Sequence, residues 1–263
     1  MEKKVNVAKE IIKTMLKTMV IILIIVVFCG LGFYVINPKF SAGVCQQFGW
    51  QKAEISCYEL VYARSKNNSD LYNLIVKLGN AKEFQKQNDY IDKLQKLDDY
   101  NTFCLTMDNS VLDGYNNGKI QAKNVGLLYG TNEYITSRKV INLLKLGKYE
   151  DAYALVVQSK TTDHAYELVV YNYIENLYAS EVSDEIKANY FTKVKADFSG
   201  YLQNKLANLP TTSQGAVQIL VAYTTLKIQY TNYIMALKTS PDDIADSYVN
   251  WQAALNVYNN LVK

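Results

Sequence analysis

The sequence contains few of the residues that break regular structure or bind metals. Its 263 residues include only 12 Gly, 3 Pro, 4 Cys and a single histidine, His164. An all-β sandwich or barrel needs frequent turn residues, so this shortage of Gly and Pro argues against one. A lone histidine excludes most metal sites that need several histidines from one chain. The hydrophobic share of 49% and the charged share of 20% exclude a wholly disordered chain.

The net charge of +3 is concentrated at the N-terminus. Five lysines and two glutamates fall in the first 17 residues, which leaves 23 basic and 23 acidic residues in the rest of the chain. A neutral body has no general attraction for phosphate groups. We therefore expect no nucleic acid partner.

A run without any charged residue extends from Thr18 to Pro38 and is rich in Ile, Val and Leu. At about 1.5 Å per residue, 20 helical residues span about 30 Å, the thickness of the hydrocarbon core of a bilayer. Residues 18–38 are therefore predicted to form a transmembrane helix in the lipid bilayer. Because the lysines precede this run, the positive-inside rule predicts a cytoplasmic basic tail at 1–17 and an extracytoplasmic body at 39–263.

The basic tail and the apolar run also resemble a secretory signal peptide. Small residues at Ser41 and Gly43 would permit cleavage before Val44. The apolar run is longer than the 7–15 residues, roughly, of a signal peptide, which favours an uncleaved anchor. Release of a secreted or surface protein by cleavage before Val44 is the alternative.

The body is predicted to be an all-α domain at 39–263, with a seam near residue 180. Its clearest helix begins at Ser240-Pro241, with Ser240 as the N-cap and Pro241 as the first helical residue. Apolar residues then recur at alternating spacings of four and three: Ile244, Tyr248, Trp251, Leu255, Tyr258 and Val262. This heptad-like stripe predicts a helix that packs along one face. Ser183 predicts the start of an earlier helix, and the short connections at Pro210 and Pro241 predict that the last three helices pack antiparallel to their neighbours.

Residues 139–152 read KVINLLKLGKYEDA. This pattern resembles the joint between the two helices of a tetratricopeptide repeat, with Gly147, Tyr149 and Ala152 at the matching positions. The resemblance implies an antiparallel α-hairpin array, either a tetratricopeptide-like solenoid or a helical bundle. By analogy, it also implies a protein-binding role.

The cysteines permit more than one arrangement. Cys29 falls in the apolar run, whereas Cys45, Cys57 and Cys104 belong to the predicted extracytoplasmic body. Cys57 and Cys104 lie on predicted apolar helix faces, which favours burial as free thiols. A Cys57–Cys104 disulfide is the first alternative and a Cys45–Cys57 disulfide the second.

Tyrosine is unusually frequent, with 22 Tyr against 8 Phe. Tyr combines an apolar ring with a polar tip and is common at interfaces. Two crowded segments supply candidate partner-binding residues: Tyr166, Tyr171, Tyr173, Tyr178, Tyr223, Tyr230 and Tyr233. The alternative is that most of these rings line a half-buried core between helices.

No motif indicates a catalytic, cofactor-binding or metal site. His164 lies near a predicted helix start, and the paired acids Asp98-Asp99 and Asp242-Asp243 suit the first turns of helices. We therefore expect a non-enzymatic, membrane-anchored adaptor or scaffold that binds a protein partner on the extracytoplasmic face, without a cofactor. A secreted ligand-binding protein and an enzyme with a site built from distant residues are the alternatives.

Overall fold

The computed structural model describes residues 2–159, 166–207 and 215–263, and side chains there other than those of 2–8, 24–31, 33, 167 and 198–207. The described part of the chain is entirely helical, without a strand, which confirms the predicted all-α class. The chain divides into two compact units, Met1–Glu83 and Phe84–Lys263. The predicted seam near residue 180 falls inside the second unit, and His164 lies outside the described residues.

The first unit contains four helices. They are α1 (Glu2–Ile36), α2 (Pro38–Gln47), α3 (Gln51–Ser65) and α4 (Asn68–Asn80). Pro38 occupies the first turn of α2, where a proline needs no hydrogen-bonded N–H. The Asn37 side chain accepts a hydrogen bond from the Phe40 N–H and so caps α2.

Helix α1 runs without a break through most of the predicted transmembrane segment. Within the part of the chain that the structure describes, no helix combines the length and the apolar character that crossing a bilayer requires. Residues 24–31 and 33 of the predicted 18–38 segment lie outside the described side chains.

Helix α4 supplies several of the fully buried residues of the first unit. Four of its apolar residues are spaced at helical intervals and are fully buried: Leu71, Leu74, Ile75 and Leu78. Ion pairs join α4 to earlier helices, with Lys39 Nζ 3.0 Å from Asp70 Oδ1 and Lys77 Nζ 2.7 Å from Glu54 Oε1. Burial therefore orders α4, and the ion pairs add directional contacts to it.

The second unit contains the other helices. They are α5 (Phe84–Gln95), α6 (Tyr100–Asn116), α7 (Ala122–Leu128), α8 (Thr131–Lys145), α9 (Tyr149–Ser159), α10 (Tyr166–Ala179), α11 (Asp184–Ala207), α12 (Ala216–Thr239), a 3-10 turn at Pro241–Asp243, and α13 (Ile244–Leu261). Helix α10 lies in the centre of its apolar core, with buried residues that include Val170, Tyr173 and Ile174. Phe191 of α11 and Ile234 of α12 belong to the same core.

Helices α8 and α9 form a hairpin around Gly147, at the joint singled out in the sequence. Gly147 adopts φ +73°, a left-handed conformation that favours glycine. The Gly147 N–H donates to the Leu144 carbonyl and the Lys148 N–H donates to the Leu143 carbonyl, which is a Schellman ending. Ala152 is fully buried in the core, where a larger side chain would hold α9 away.

Two predicted helix starts differ in outcome. Ser183 caps α11, because its Oγ accepts a hydrogen bond from the Ile186 N–H at 3.4 Å. Ser240 and Pro241 occupy the N-cap and first positions as predicted, but of a 3-10 turn, and the Ser240 side chain makes no capping hydrogen bond. Ser240 Oγ instead accepts a hydrogen bond from Lys195 Nζ, and a 3-10 turn precedes α13.

The start of α8 is held by a carboxylate from another helix. Asp108 Oδ1, on α6, accepts hydrogen bonds from the Gly130 N–H at 3.1 Å, the Thr131 N–H at 2.9 Å and Thr131 Oγ1 at 2.7 Å. These bonds satisfy donors that the first turn of a helix leaves open.

Replacing Asp108 with alanine is expected to lower the free energy of unfolding by about 2–3 kcal/mol, because the donors at the start of α8 lose a charged acceptor. Asp108→Asn keeps one acceptor oxygen and should cost less. The measurement is urea unfolding followed by circular dichroism. Asp113→Ala is the matched control, since Asp113 is an exposed carboxylate on the same helix. Equal losses in Asp108→Ala and Asp113→Ala would contradict the assignment.

Candidate aromatic binding surface

Helices α12 and α13 pack through pairs of aromatic rings. Tyr223 lies 5.6 Å from Tyr258 between ring centroids, Tyr230 lies 5.2 Å from Trp251, and Tyr233 lies 5.5 Å from Tyr248. Positions that rise along α12 meet positions that fall along α13, so the two helices are antiparallel. This confirms the predicted packing for that pair of helices.

Tyr171 of α10 extends this row, because its ring lies 5.8 Å from that of Tyr230. We call the whole row the aromatic ladder. Its members are Tyr171, Tyr223, Tyr230, Tyr233, Tyr248, Trp251 and Tyr258.

Trp251 has more ring contacts than any other member of the aromatic ladder. It stacks on Tyr233 with an interplanar angle of 13° at 5.2 Å, and it meets Tyr230 and Tyr248 edge to face. Offset stacks and edge-to-face pairs are the favoured geometries of aromatic rings. Because Tyr248 also belongs to α13, Trp251 attaches α13 to α12 through Tyr230 and Tyr233.

A lysine is enclosed by the same rings. Lys227 Nζ lies 4.0 Å from the centroid of the Tyr171 ring and 5.1 Å from that of Tyr223. Burial lowers the pKa of Lys227, and the nearby Glu175 carboxylate partly opposes this effect. Burial also raises the pKa of Tyr171, and a hydrogen bond to Glu175 raises it further. Lys227 and Glu175 therefore place a pair of opposite charges beside Tyr171 and Tyr223 of the aromatic ladder.

The contact of α7 with α12 depends on Gly126. A Cβ atom at Gly126 would lie 2.5 Å from Cγ of Tyr223. Tyr223 is thereby held between α7 and Tyr258, whose hydroxyl donates to the Lys123 carbonyl at 3.3 Å. Because Gly126 has no side chain, the Tyr223 ring can pack directly against α7 at this end of the aromatic ladder.

The structure separates the seven predicted partner-binding tyrosines. Tyr166 and Tyr173 are buried in the core of the second unit and have no surface for a partner. Tyr178 is 38% exposed, with Lys238 Nζ 5.7 Å from its ring centroid. The remaining four belong to the aromatic ladder: Tyr171, Tyr223, Tyr230 and Tyr233. Much of the tyrosine surface expected to meet a partner is therefore covered by α13 of the same chain.

Some apolar side chains of α13 remain exposed. Tyr248 is 46% exposed, and Val249 and Val257 are also exposed. Tyr248 belonged to the predicted heptad-like stripe, which indicated packing but did not identify it as a surface residue. A partner could therefore contact Tyr248 of the aromatic ladder and the exposed valines of the same helix.

A second polar and aromatic cluster joins α9 to α11, and the sequence analysis did not identify it. Glu150 Oε2 accepts hydrogen bonds from the Tyr190 hydroxyl at 2.9 Å and from Lys193 Nζ at 3.3 Å. The hydrogen bond from Tyr190, followed by that from Lys193, lowers the pKa of Glu150. Burial and the Glu150 hydrogen bond raise the pKa of Tyr190 to about 12. The charges of Glu150 and Lys193 compensate each other, and the hydrogen bonds join α9 to α11. This structural role explains the cluster.

The two disulfides predicted as alternatives differ, because Cys45–Cys57 would lie within one unit and Cys57–Cys104 would join two units. Cys45 and Cys57 lie in the first unit and Cys104 lies in the second, and all three are buried free thiols. Cys57 and Cys45 belong to one buried cluster with Ala42. Burial raises the pKa of the Cys104 thiol to about 11. In the described structure, the thiol that shares a buried cluster with Cys57 is therefore that of Cys45.

Among the described residues, no three His, Cys, Asp or Glu side chains form a group that could hold a metal ion. Comparison of the chain with protein-family models, with curated proteins and with solved structures found no match. The functional argument therefore depends on the residues of this chain alone.

Proposed function

We propose that this protein is a membrane-anchored, non-enzymatic adaptor that binds a protein partner on the extracytoplasmic face. Helix α1 is the anchor, and the exposed part of the second unit around α13 is the surface offered to the partner. Anchoring confines that surface to the membrane and raises its effective concentration near other membrane proteins.

The observation that carries the proposal is the exposure of apolar side chains all round α1. Val20, Ile21, Ile22 and Leu23 are each 50–65% exposed. Successive helical residues point about 100° apart, so these four point in every direction around the axis. A groove on a partner protein would cover one face of such a helix, whereas a bilayer covers all of them.

The charge pattern supports the direction of insertion. Lysines at 3, 4, 9, 13 and 17 precede the charge-free run from Thr18 to Pro38, and only Lys39 follows it closely. An N-terminus in the cytoplasm and residues 39–263 outside satisfy the positive-inside rule. Cleavage before Val44 would divide α2 and remove Ala42 from its buried cluster, so the packing of α2 favours retention of the anchor.

Protein binding rests on the surface chemistry of the second unit. Exposed aromatic and branched apolar residues beside each other are typical of protein interfaces. Tyr248 and Val249 provide such a pair on α13, and Tyr178 provides a second exposed ring on α10. The resemblance of the α8–α9 joint to a tetratricopeptide repeat adds support by analogy only.

The anchor is tested on the full chain with a C-terminal tag, by washing membranes at alkaline pH and measuring the intact mass of the retained protein. We expect a full-length chain in the membrane fraction. The double variant Leu23→Arg with Val27→Arg should increase the fraction of the chain released from the membrane several-fold, because each arginine costs about 2.5–3.5 kcal/mol inside a bilayer. Ile11→Arg with Ile12→Arg is the matched control on the same helix, before the charge-free run, and should stay membrane-bound. A soluble full-length chain would overturn the anchor, and a chain beginning at Val44 would establish the secreted alternative.

The binding surface is tested by placing a photo-cross-linking residue at Tyr248 or Tyr178 in the membrane-bound chain. We expect discrete adducts of higher mass at these positions and none at Lys119, an exposed control residue after α6. The adducts should disappear when the two arginines in α1 release the chain. No adduct at Tyr248 or Tyr178, or the same adducts at Lys119, would contradict the proposed surface.

A further inference from the structure

We propose that Cys45 and Cys57 form a reversible disulfide that links α2 to α3. The pair would be a redox-controlled crosslink within the first unit. It does not depend on a partner for the second unit.

The two cysteines lie on the two helices of a tight hairpin and belong to one buried cluster. Only residues 48–50 separate α2 from α3, and the Trp50 N–H donates to the Cys45 carbonyl at 2.8 Å. Both side chains belong to the same buried cluster, Cys45 with 8% exposure and Cys57 with none. A disulfide needs neighbouring side chains that approach from opposed backbones, and the hairpin provides that arrangement.

The surroundings keep this pair together. Tyr34 and Tyr58 pack against the cluster, and the Tyr34 hydroxyl donates to the Ser56 carbonyl at 3.3 Å. The cluster therefore contains residues from α1, α2 and α3. A crosslink at this point would hold the hairpin in the segment that follows α1.

The reaction is thiol–disulfide exchange with a disulfide-bonded oxidoreductase or with glutathione disulfide. Cys45 is the more exposed thiol, so its thiolate attacks a sulfur of the oxidant and releases one thiol. Burial raises the pKa of Cys57 to about 11, so Cys57 enters the second step as a thiol. It gives up its proton and attacks the Cys45 sulfur of the mixed disulfide, which releases the second thiol. Two protein thiols are oxidised by two electrons, and one disulfide of the oxidant is reduced to two thiols.

The test uses the full chain in detergent with Cys29→Ser and Cys104→Ser, so that only Cys45 and Cys57 remain. The folded protein is equilibrated in buffers of rising glutathione disulfide to glutathione ratio, free thiols are blocked, and the peptides are analysed by mass spectrometry. We expect a monomer that loses two hydrogens, contains linked Cys45 and Cys57 peptides, returns to the dithiol with dithiothreitol, and melts at a higher temperature when oxidised. A monomer that stays reduced in excess glutathione disulfide, or one that only forms dimers, would overturn the proposal.

The natural set of cysteines distinguishes the pair from the other pairing. With all other cysteines present, Cys104→Ser should leave the disulfide intact, and Cys45→Ser, Cys45→Ala or Cys57→Ser should abolish it. Linked Cys57 and Cys104 peptides in the wild-type chain would overturn the Cys45–Cys57 assignment. Circular dichroism of each variant separates a lost disulfide from a lost fold.

Discussion

Replacing Trp251 with alanine is expected to detach α13 and to lower the free energy of unfolding of the second unit by about 3 kcal/mol. Trp251 contacts Tyr230, Tyr233 and Tyr248 at centroid distances of 5.2, 5.2 and 5.7 Å. The substitution removes all of these pairs and uncovers the rings of Tyr230 and Tyr233 on α12. Trp251→Phe keeps a ring at the same position and should lose less than half as much stability.

The measurement is chemical unfolding together with amide hydrogen exchange along α13. The chain has two tryptophans, and Trp50 lies in the first unit, so its fluorescence should be unchanged by the substitution. Val249→Ala is the matched control, since Val249 is an exposed apolar residue on the same helix. Exchange protection of α13 that survives Trp251→Ala, or a loss as large in Val249→Ala, would show that the aromatic ladder does not hold the helix.

The second large effect is expected at alkaline pH. Burial raises the pKa of Tyr223 to about 12, and burial together with a hydrogen bond to Asp197 raises the pKa of Tyr153 to about 12. Tyr190 has a pKa of about 12 as well. An unfolded tyrosine ionises at a pKa of about 10, so in this range the folded chain holds more protons than the unfolded chain. The stability that these groups contribute is complete below about pH 10 and is lost as the pH rises towards about 12.

Tyrosinate absorbance and helical circular dichroism, recorded together during an alkaline titration, check this prediction. We expect the buried tyrosines to ionise in one step with the loss of helix, rather than gradually before it. Tyr223→Phe should shift the unfolding midpoint to higher pH, because the unfolded variant has one fewer phenol to ionise. Gradual ionisation of the buried tyrosines while the helices persist would contradict the argument.

Local sequence signals identified the elements that depend on neighbouring residues. Gly147 predicted a helical joint because only a left-handed residue ends α8 in this way. The stripe from Ile244 to Val262 predicted the packed face of α13 because the spacing alone defines it. Ser240 occupies the predicted N-cap position, but its side chain accepts a hydrogen bond from Lys195, which is distant in sequence, and makes no capping bond.

The features that could not be predicted are contacts between distant positions. Asp108 holds the start of α8 from 22 residues away, and nothing around it in sequence indicates that role. Asn142 Nδ2 donates to Gln87 and Asn88 at 2.8 Å in a buried amide cluster, although local sequence would place such side chains on a surface.

Tyr171 and Tyr173 illustrate the same limit at the candidate site. Periodicity shows that both cannot face one side of α10, because they are separated by about 200° on a helix. It does not show which of the two is in the core. The structure places Tyr173 in the core and the Tyr171 ring against that of Tyr230 on α12. The orientation of α10 therefore depends on the helices packed against it and not on its own sequence alone.

The antiparallel order of the aromatic ladder determines how α13 responds to mechanical load. Tyr258 and its partner Tyr223 lie nearest the C-terminal end of α13, whereas Trp251 and its three ring contacts lie further back. A pull on the C-terminal end of α13 therefore first loads the contacts of Tyr258 with Tyr223 and with the Lys123 carbonyl, together with the packing of Leu261 and Val262. The contacts of Trp251 with Tyr230 and Tyr233 bear the load only after these are broken, so α13 would separate from α12 stepwise from its C-terminal end.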